Sequence, residues 1–186
     1  MIDDTGLSPI LMDLGSLSES PTPVTSRSLA LAVQDTAAEH STLPYRAPEL
    51  LDVKTGTVID GAVDIWSLGC TLYACLVGKS PFEARSEETG GSLNICILSA
   101  DWRFPGEGED GKAKGKGRAP TGNGSIGAPG PRAADEGEIS EVVKDVVRAC
   151  LKVEPAERPD VDALIGMLEK VLQELPDDDG DEALPA

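Results

Sequence analysis

Aromatic residues are scarce: two Trp, two Tyr and two Phe make up 3% of 186 residues. With 20 Gly and 14 Pro, many of them clustered, this composition implies an ordered core smaller than the chain. Positive charge is also short, with 16 Lys and Arg against 33 Asp and Glu and a net charge of −17. Nucleic acid and anionic membrane surfaces would be repelled, so neither is expected as a partner. Histidine occurs once, as His40, with no Cys or second His nearby, which argues against a metal site there. The four cysteines, Cys70, Cys75, Cys96 and Cys150, form no CxxC pair; free, buried thiols are expected and a disulfide framework is not. The longest apolar stretch, 65–77, is too short for a bilayer and contains Ser67 and Gly69, so it reads as a buried core helix and no transmembrane segment is expected. The acidic start Met1-Ile2-Asp3-Asp4 has no apolar run of signal-peptide length. An intracellular, cytoplasmic protein is the expectation.

What is present suffices for one domain, since 40% of the residues are hydrophobic. Pro9-Ile10-Leu11-Met12 reads as a short buried strand that delivers Asp13 at its C-terminal end. Residues 16–42 are mostly Ser, Thr, Pro and Ala with little periodicity and read as a long exposed loop. Residues 60–78 are apolar around most of a helical circumference, which predicts burial, and Pro81 is a stop. A second apolar helix is expected over 92–99, closed by Trp102-Arg103-Phe104-Pro105. Residues 106–137 are rich in Gly, Pro, Ala and Lys and read as a flexible insertion, its basic patch at 112–118 as solvated linker. Order returns with Ile139, Val142, Val143, Val146, Val147, Cys150 and Leu151 at offsets 0, 3, 4, 7, 8, 11 and 12, one face of a helix. A further stripe, Val161, Leu164, Ile165, Leu168, Val171, Leu172 and Leu175, follows Pro159 and ends at Pro176. The acidic run at 177–182 reads as a solvated tail, and no internal repeat is visible.

Three short strings occur in a fixed order: Tyr45-Arg46-Ala47-Pro48-Glu49, then Asp64-Ile65-Trp66-Ser67-Leu68-Gly69, then Glu157-Arg158-Pro159. Upstream lies Asp13-Leu14-Gly15, with the Ser/Thr-rich stretch between. An Asp-x-Gly turn alone is ordinary; its place before a segment ending in Ala47-Pro48-Glu49 gives it weight. The order resembles that of a protein kinase, with Leu14 where Phe is usual. More narrowly, Leu11-Met12-Asp13-Leu14-Gly15-Ser16 and the stretch 29–42 resemble the Numb-associated kinase family, closest to its Golgi-associated, acylated member. The long gap between Glu49 and Asp64 fits that family's additional helix. Because only twelve residues precede Asp13, the fold expected is mainly α: the C-terminal lobe of the protein-kinase-like fold, lacking the N-terminal β-rich nucleotide lobe. Its parts would be 1–105 (with activation segment 13–49, buried helix 60–78 and helix 92–99), the insertion 106–137, final helices 138–176 and the tail 177–186.

The resemblance implies ATP and Mg²⁺ as cofactors, with Asp13 as the metal-binding carboxylate through Mg-ATP, and phosphorylation of protein Ser or Thr. It assigns Thr42 to face the substrate hydroxyl, and Glu49 and Arg158 to a buried ion pair anchoring the activation segment. Asp64, the one ionised group in an otherwise apolar helix, is expected to be buried and to need donors. Ser16, Ser18, Ser20, Thr22, Thr25, Ser26, Ser28 and Thr36 are exposed hydroxyls that could take an ordering phosphate through Arg27 or Arg46. With no catalytic-loop base, nucleotide lysine or Gly-rich loop, the chain alone is expected to be inactive. Two readings remain: a fragment of a serine/threonine kinase, its N-lobe supplied by a longer gene product, or a non-catalytic kinase-like module that binds proteins. Golgi or membrane association fits the family, but Met1-Ile2 is no myristoylation signal.

Overall fold

The computed structural model describes residues 8, 10, 12, 14–107 and 139–174. Asp13, most of the Gly-rich insertion with its basic patch, and the acidic tail lie outside the described residues.

The central element is α3 (Ala62–Val77), which turns Ile65, Trp66, Gly69, Cys70 and Tyr73 inward and ends at Gly78, whose φ of 87° suits a residue without Cβ. Leu68 and Cys75 stay exposed, so burial is less complete than the composition of 60–78 predicts. The apolar stripes expected downstream appear as α5 (Leu93–Leu98), α6 (Glu141–Cys150) and α7 (Val161–Glu174). Asp160 starts α7, accepting a hydrogen bond from the Ala163 amide at 2.8 Å.

Gly69 lets α3 and α6 touch. A Cβ there would sit 2.6 Å from the Cys150 Cβ, a distance at which backbone must move. Around this contact Ile65, Val146, Cys150, Leu164 and Val171 form one apolar cluster. On the other side of α3 the main core joins Ala47, Trp66, Cys70, Tyr73, Phe82, Ile97 and Phe104. There Trp66 stacks on Phe82 with centroids 5.3 Å apart, and the Tyr73 hydroxyl donates to the Arg103 carbonyl at 2.7 Å.

Four expectations need correction. The stretch 16–42 is not one long loop: Arg27–His40 forms a 14-residue helix, α1. Ser26 caps it, accepting from the Leu29 amide at 3.2 Å, and Leu29, Ala30, Leu31 and Ala32 supply helix propensity that the surrounding Ser and Thr concealed. Pro81 starts a helix instead of stopping one. It is the first residue of α4 (Pro81–Thr89), with the buried Ser80 as cap, a place where the missing amide of proline costs nothing. Of the strand expected at 9–12, only Ile10 and Met12 are among the described residues, and neither has regular structure. Strands lie instead at β1 (Thr22–Pro23) and β2 (Val58–Ile59), paired antiparallel with Thr22 opposite Ile59. The Val24 amide bonds the Thr57 carbonyl and the Gly56 amide the Val24 carbonyl, so the mainly α architecture also contains a small sheet. A third apolar cluster, Val24, Ala30 and Val53 with Val33 and Ile59 against it, sits under α1. Two-residue strands carry no alternation by which a sequence could announce them.

The fourth concerns Asp64. It stands exposed in the first turn of α3, next to Asp60, whose Oδ1 accepts the Ala62 amide at 3.0 Å. A helix N-terminus in solvent tolerates a carboxylate without dedicated donors, so the desolvation argument does not apply.

Candidate functional site

The residues of interest lie on the polypeptide between β1 and β2. After α1, residues 43–45 make a single 3-10 turn, followed by α2 (Pro48–Leu51), which opens on a buried proline. Thr42 precedes the turn with extended backbone, exposed, and its side chain makes no capping hydrogen bond.

Glu49, in the first turn of α2, reaches Arg158, 109 residues away. Arg158 Nη1 donates to Glu49 Oε1 at 2.7 Å and Nη2 to Oε2 at 2.8 Å, a fork-on-fork pair. The remaining guanidinium donors go to backbone: Nε to Lys152 at 2.8 Å, Nη1 to Ala62 at 2.8 Å and Nη2 to Val153 at 3.1 Å. The Arg158 side chain is fully buried, and its guanidinium lies 4.9 Å from the centre of the Trp66 ring. One cation thus joins α2, α3 and the turn before α7. The residue types expected at all three strings meet here.

A groove of about 540 Å³ opens between α1 and the start of α3. Ser20, Thr36, His40, Arg46, Asp60 and Asp64 are among its lining residues. Leu17, Leu29, Val33, Leu50, Ile59 and Val63 line it too, so it is a mainly apolar groove with hydroxyls and charges of both signs among them. Of the hydroxyls expected on this segment, Ser16, Ser18, Ser20, Thr25, Ser28 and Thr36 are exposed, whereas Ser26 is engaged in capping α1.

The cysteines are free, with Cys70, Cys96 and Cys150 buried and Cys75 exposed. Burial pushes the Cys150 thiol up to about 11, against some opposition from Arg158, and raises Cys70 further for the same reason. Such thiols are unreactive structural groups. Burial, then Glu107, pushes the Tyr73 phenol up to about 12.

Among the described residues no group of three or more His, Cys, Asp and Glu side chains could hold a metal ion. Asp13, the expected carboxylate, lies outside them, so the described residues do not by themselves make a Mg²⁺-ATP site. No helix among them is long and apolar enough to cross a membrane.

Sequence reasoning found the Glu49–Arg158 pair; it offered Arg46 as a cation for a phosphorylated hydroxyl and gave Ser67 no role, whereas both hold the turn beside Thr42. The signal for both was the strings themselves, in which each occupies a fixed place.

The protein kinase domain model matches residues 8–168. The chain is similar to Serine/threonine-protein kinase ppk13 of Schizosaccharomyces pombe, 34% identical over 160 residues, which is 86% of this chain and 38% of that protein. It is similar to Serine/threonine-protein kinase ENV7 of Saccharomyces cerevisiae, 30% identical over 161 residues, 87% of this chain and 36% of that protein. Serine/threonine-protein kinase 16 of Rattus norvegicus is 31% identical over 169 residues, 91% of this chain and 45% of that protein. The chain therefore spans less than half the length of these relatives. The match corrects the expected assignment to a C-terminal lobe without a nucleotide lobe: it runs through sheet and helices alike as kinase domain and marks no lobe boundary. That assignment drew on how near Asp13 lies to the first residue, which says nothing about how the others fold. On the length of this match the chain belongs to the protein kinase domain family.

Proposed function

We propose that this chain serves a serine/threonine protein kinase, transferring the γ-phosphoryl group of ATP to Ser or Thr of protein substrates. The observation that carries the reading is the bidentate Glu49–Arg158 pair, which fixes the segment bearing Thr42 to the helical core. Phosphoryl transfer depends on positioning and charge neutralisation more than on covalent chemistry, so a rigidly held substrate platform is the part such an enzyme needs here. In this reading Thr42 lies against the substrate hydroxyl, and Asp13 holds the Mg²⁺ that protein kinases use with ATP. The similarity to three proteins named serine/threonine-protein kinases supports Ser and Thr as acceptors.

The test is phosphate incorporation by the full gene product, given ATP, Mg²⁺ and a protein substrate. Phosphoserine or phosphothreonine that disappears in Asp13→Asn is the expected result. A folded wild-type protein that transfers nothing, or transfers only to tyrosine, overturns the reading and leaves a non-catalytic, protein-binding kinase domain.

A further inference from the structure

The turn that carries Thr42 has little backbone structure of its own. Two hydrogen bonds close it, from the Tyr45 amide to the Thr42 carbonyl at 3.0 Å and from the Arg46 amide to the Leu43 carbonyl at 3.1 Å. A single turn of this kind has no cooperative ladder and depends on outside contacts for a fixed shape. Two side chains supply them from opposite directions.

From one direction comes Arg46. Its guanidinium folds back past Thr42 to the C-terminal end of α1, where Nε donates to Ser41 Oγ at 2.8 Å and Nη2 to the Ser41 carbonyl at 2.7 Å. Nη2 also lies 3.4 Å from the Ala38 carbonyl, and Ser41 Oγ itself donates to the Ala37 carbonyl. The last carbonyls of a helix lack partners within it and attract a cation, so this docking is favourable both by hydrogen bonding and by the helix dipole. Residues 41–46 become a ring closed by a side chain, with Thr42 on it. From the other direction the Ser67 hydroxyl, on α3, is shared between the Tyr45 carbonyl at 3.0 Å and the Val63 carbonyl at 3.1 Å. Ser67 is half-buried at the edge of the groove, on a helix that Trp66, fully buried against Phe82, seats in the core.

We propose that Arg46 and Ser67 are positioning residues for substrate: Arg46 ties the Thr42 turn to α1, Ser67 ties it to α3, and α1 thereby sets where Thr42 meets the acceptor. The proposal rests on the reading of Thr42 as substrate-facing. Neither side chain touches reacting atoms. Losing either frees the turn without uncovering the core, because the Glu49–Arg158 anchor is separate from both.

Three variants of the full gene product test it: Arg46→Ala, Ser67→Ala, and Ser67→Thr, which keeps the hydroxyl. Amide hydrogen exchange is followed in the peptide covering 41–47, together with KM and kcat for a protein substrate and KM for ATP. The expected result is exchange about fivefold faster at 41–47 in Ser67→Ala, as loss of one ordinary hydrogen bond implies, and at least as large an increase in Arg46→Ala, which loses more than one. A similar rise in KM for the protein substrate is expected, with KM for ATP unchanged and Ser67→Thr close to wild type. Unchanged exchange at 41–47 in both alanine variants overturns the proposal. So does faster exchange with an unaltered protein-substrate KM in an active enzyme, or loss of protection spread evenly over the molecule in Ser67→Thr. If the wild type transfers no phosphate while exchange still accelerates locally, the two ties stand as structure, but their role toward substrate is overturned with the kinase reading.

Discussion

Arg158 grips Glu49 with both arms of its guanidinium while its remaining donors hold three backbone carbonyls, so no N–H of this buried cation is left over. Removing either partner strands a charge in the interior, which typically costs about 3–5 kcal/mol. Arg158→Ala and Glu49→Ala are each expected to destabilise by that order, and the double variant by far less than their sum. Arg158→Lys is expected to fail nearly as badly, because an ammonium cannot span both carboxylate oxygens. Urea unfolding of the wild type and the four variants checks this; additive losses would refute the coupling.

Gly69→Ala is expected to destabilise by about 1–3 kcal/mol, the usual cost of forcing atoms into a packed contact. The obstacle is the Cys150 Cβ itself, 2.6 Å from the added carbon. Cys150→Ala should therefore bring no relief, whereas Cys150→Gly should recover part of the loss. Thermal unfolding of the pairs tells the two apart.

Among the four thiols, Cys75 should react with a thiol reagent in the native protein while Cys70, Cys96 and Cys150 wait for unfolding. Labelling followed by peptide mapping reads this directly; early modification of Cys150 would contradict its burial.

Burial raises the Cys150 thiol from its ordinary value of 9.0 to about 11. A group whose folded-state value is raised keeps its proton in the folded protein while the unfolded chain loses it. Stability is therefore full below about pH 9 and falls as pH rises through 11. Tyr73, raised from 10.0 to about 12, extends the decline in the same direction. Denaturant midpoints between pH 8 and 11 should fall, and Cys150→Ala should flatten part of the slope.

Ser26→Ala removes the cap of α1 and is expected to cost about 1 kcal/mol. The loss should appear as faster amide exchange confined to α1, with α3 and α6 unchanged.

The helices α6 and α7 were legible because each has an apolar face repeating at helical spacing, and α3 and α5 because their stretches are apolar nearly throughout and bounded by turn residues. The anchor between Glu49 and Arg158 was legible because the strings fix residue type and order even across 109 positions. What escaped was governed by chemistry at helix starts. Ser26 and Ser80 act as caps, and beside each a composition signal, hydroxyl richness or a proline, pointed the wrong way. Asp64 was misjudged because apolar neighbours in sequence lie on other faces of α3. Apart from the Arg46 bond to Ser41 Oγ, Arg46 and Ser67 work through backbone carbonyls, and a carbonyl has the same chemistry in every residue, so the sequence does not mark those partners.

The pairing of Thr22 with Ile59 brings two points 37 positions apart side by side, and the polypeptide between them carries its own apolar cluster of Val24, Ala30 and Val53. Topologically this is a lasso, knotted at its neck by two short strands and pinned once more at Glu49. Closing such a loop costs entropy that grows only logarithmically with its length, so most of that cost is already met at the neck. A protease cut on the exposed stretch near Thr42 would then leave two ends that stay in place, one held by the neck and the other by Arg158.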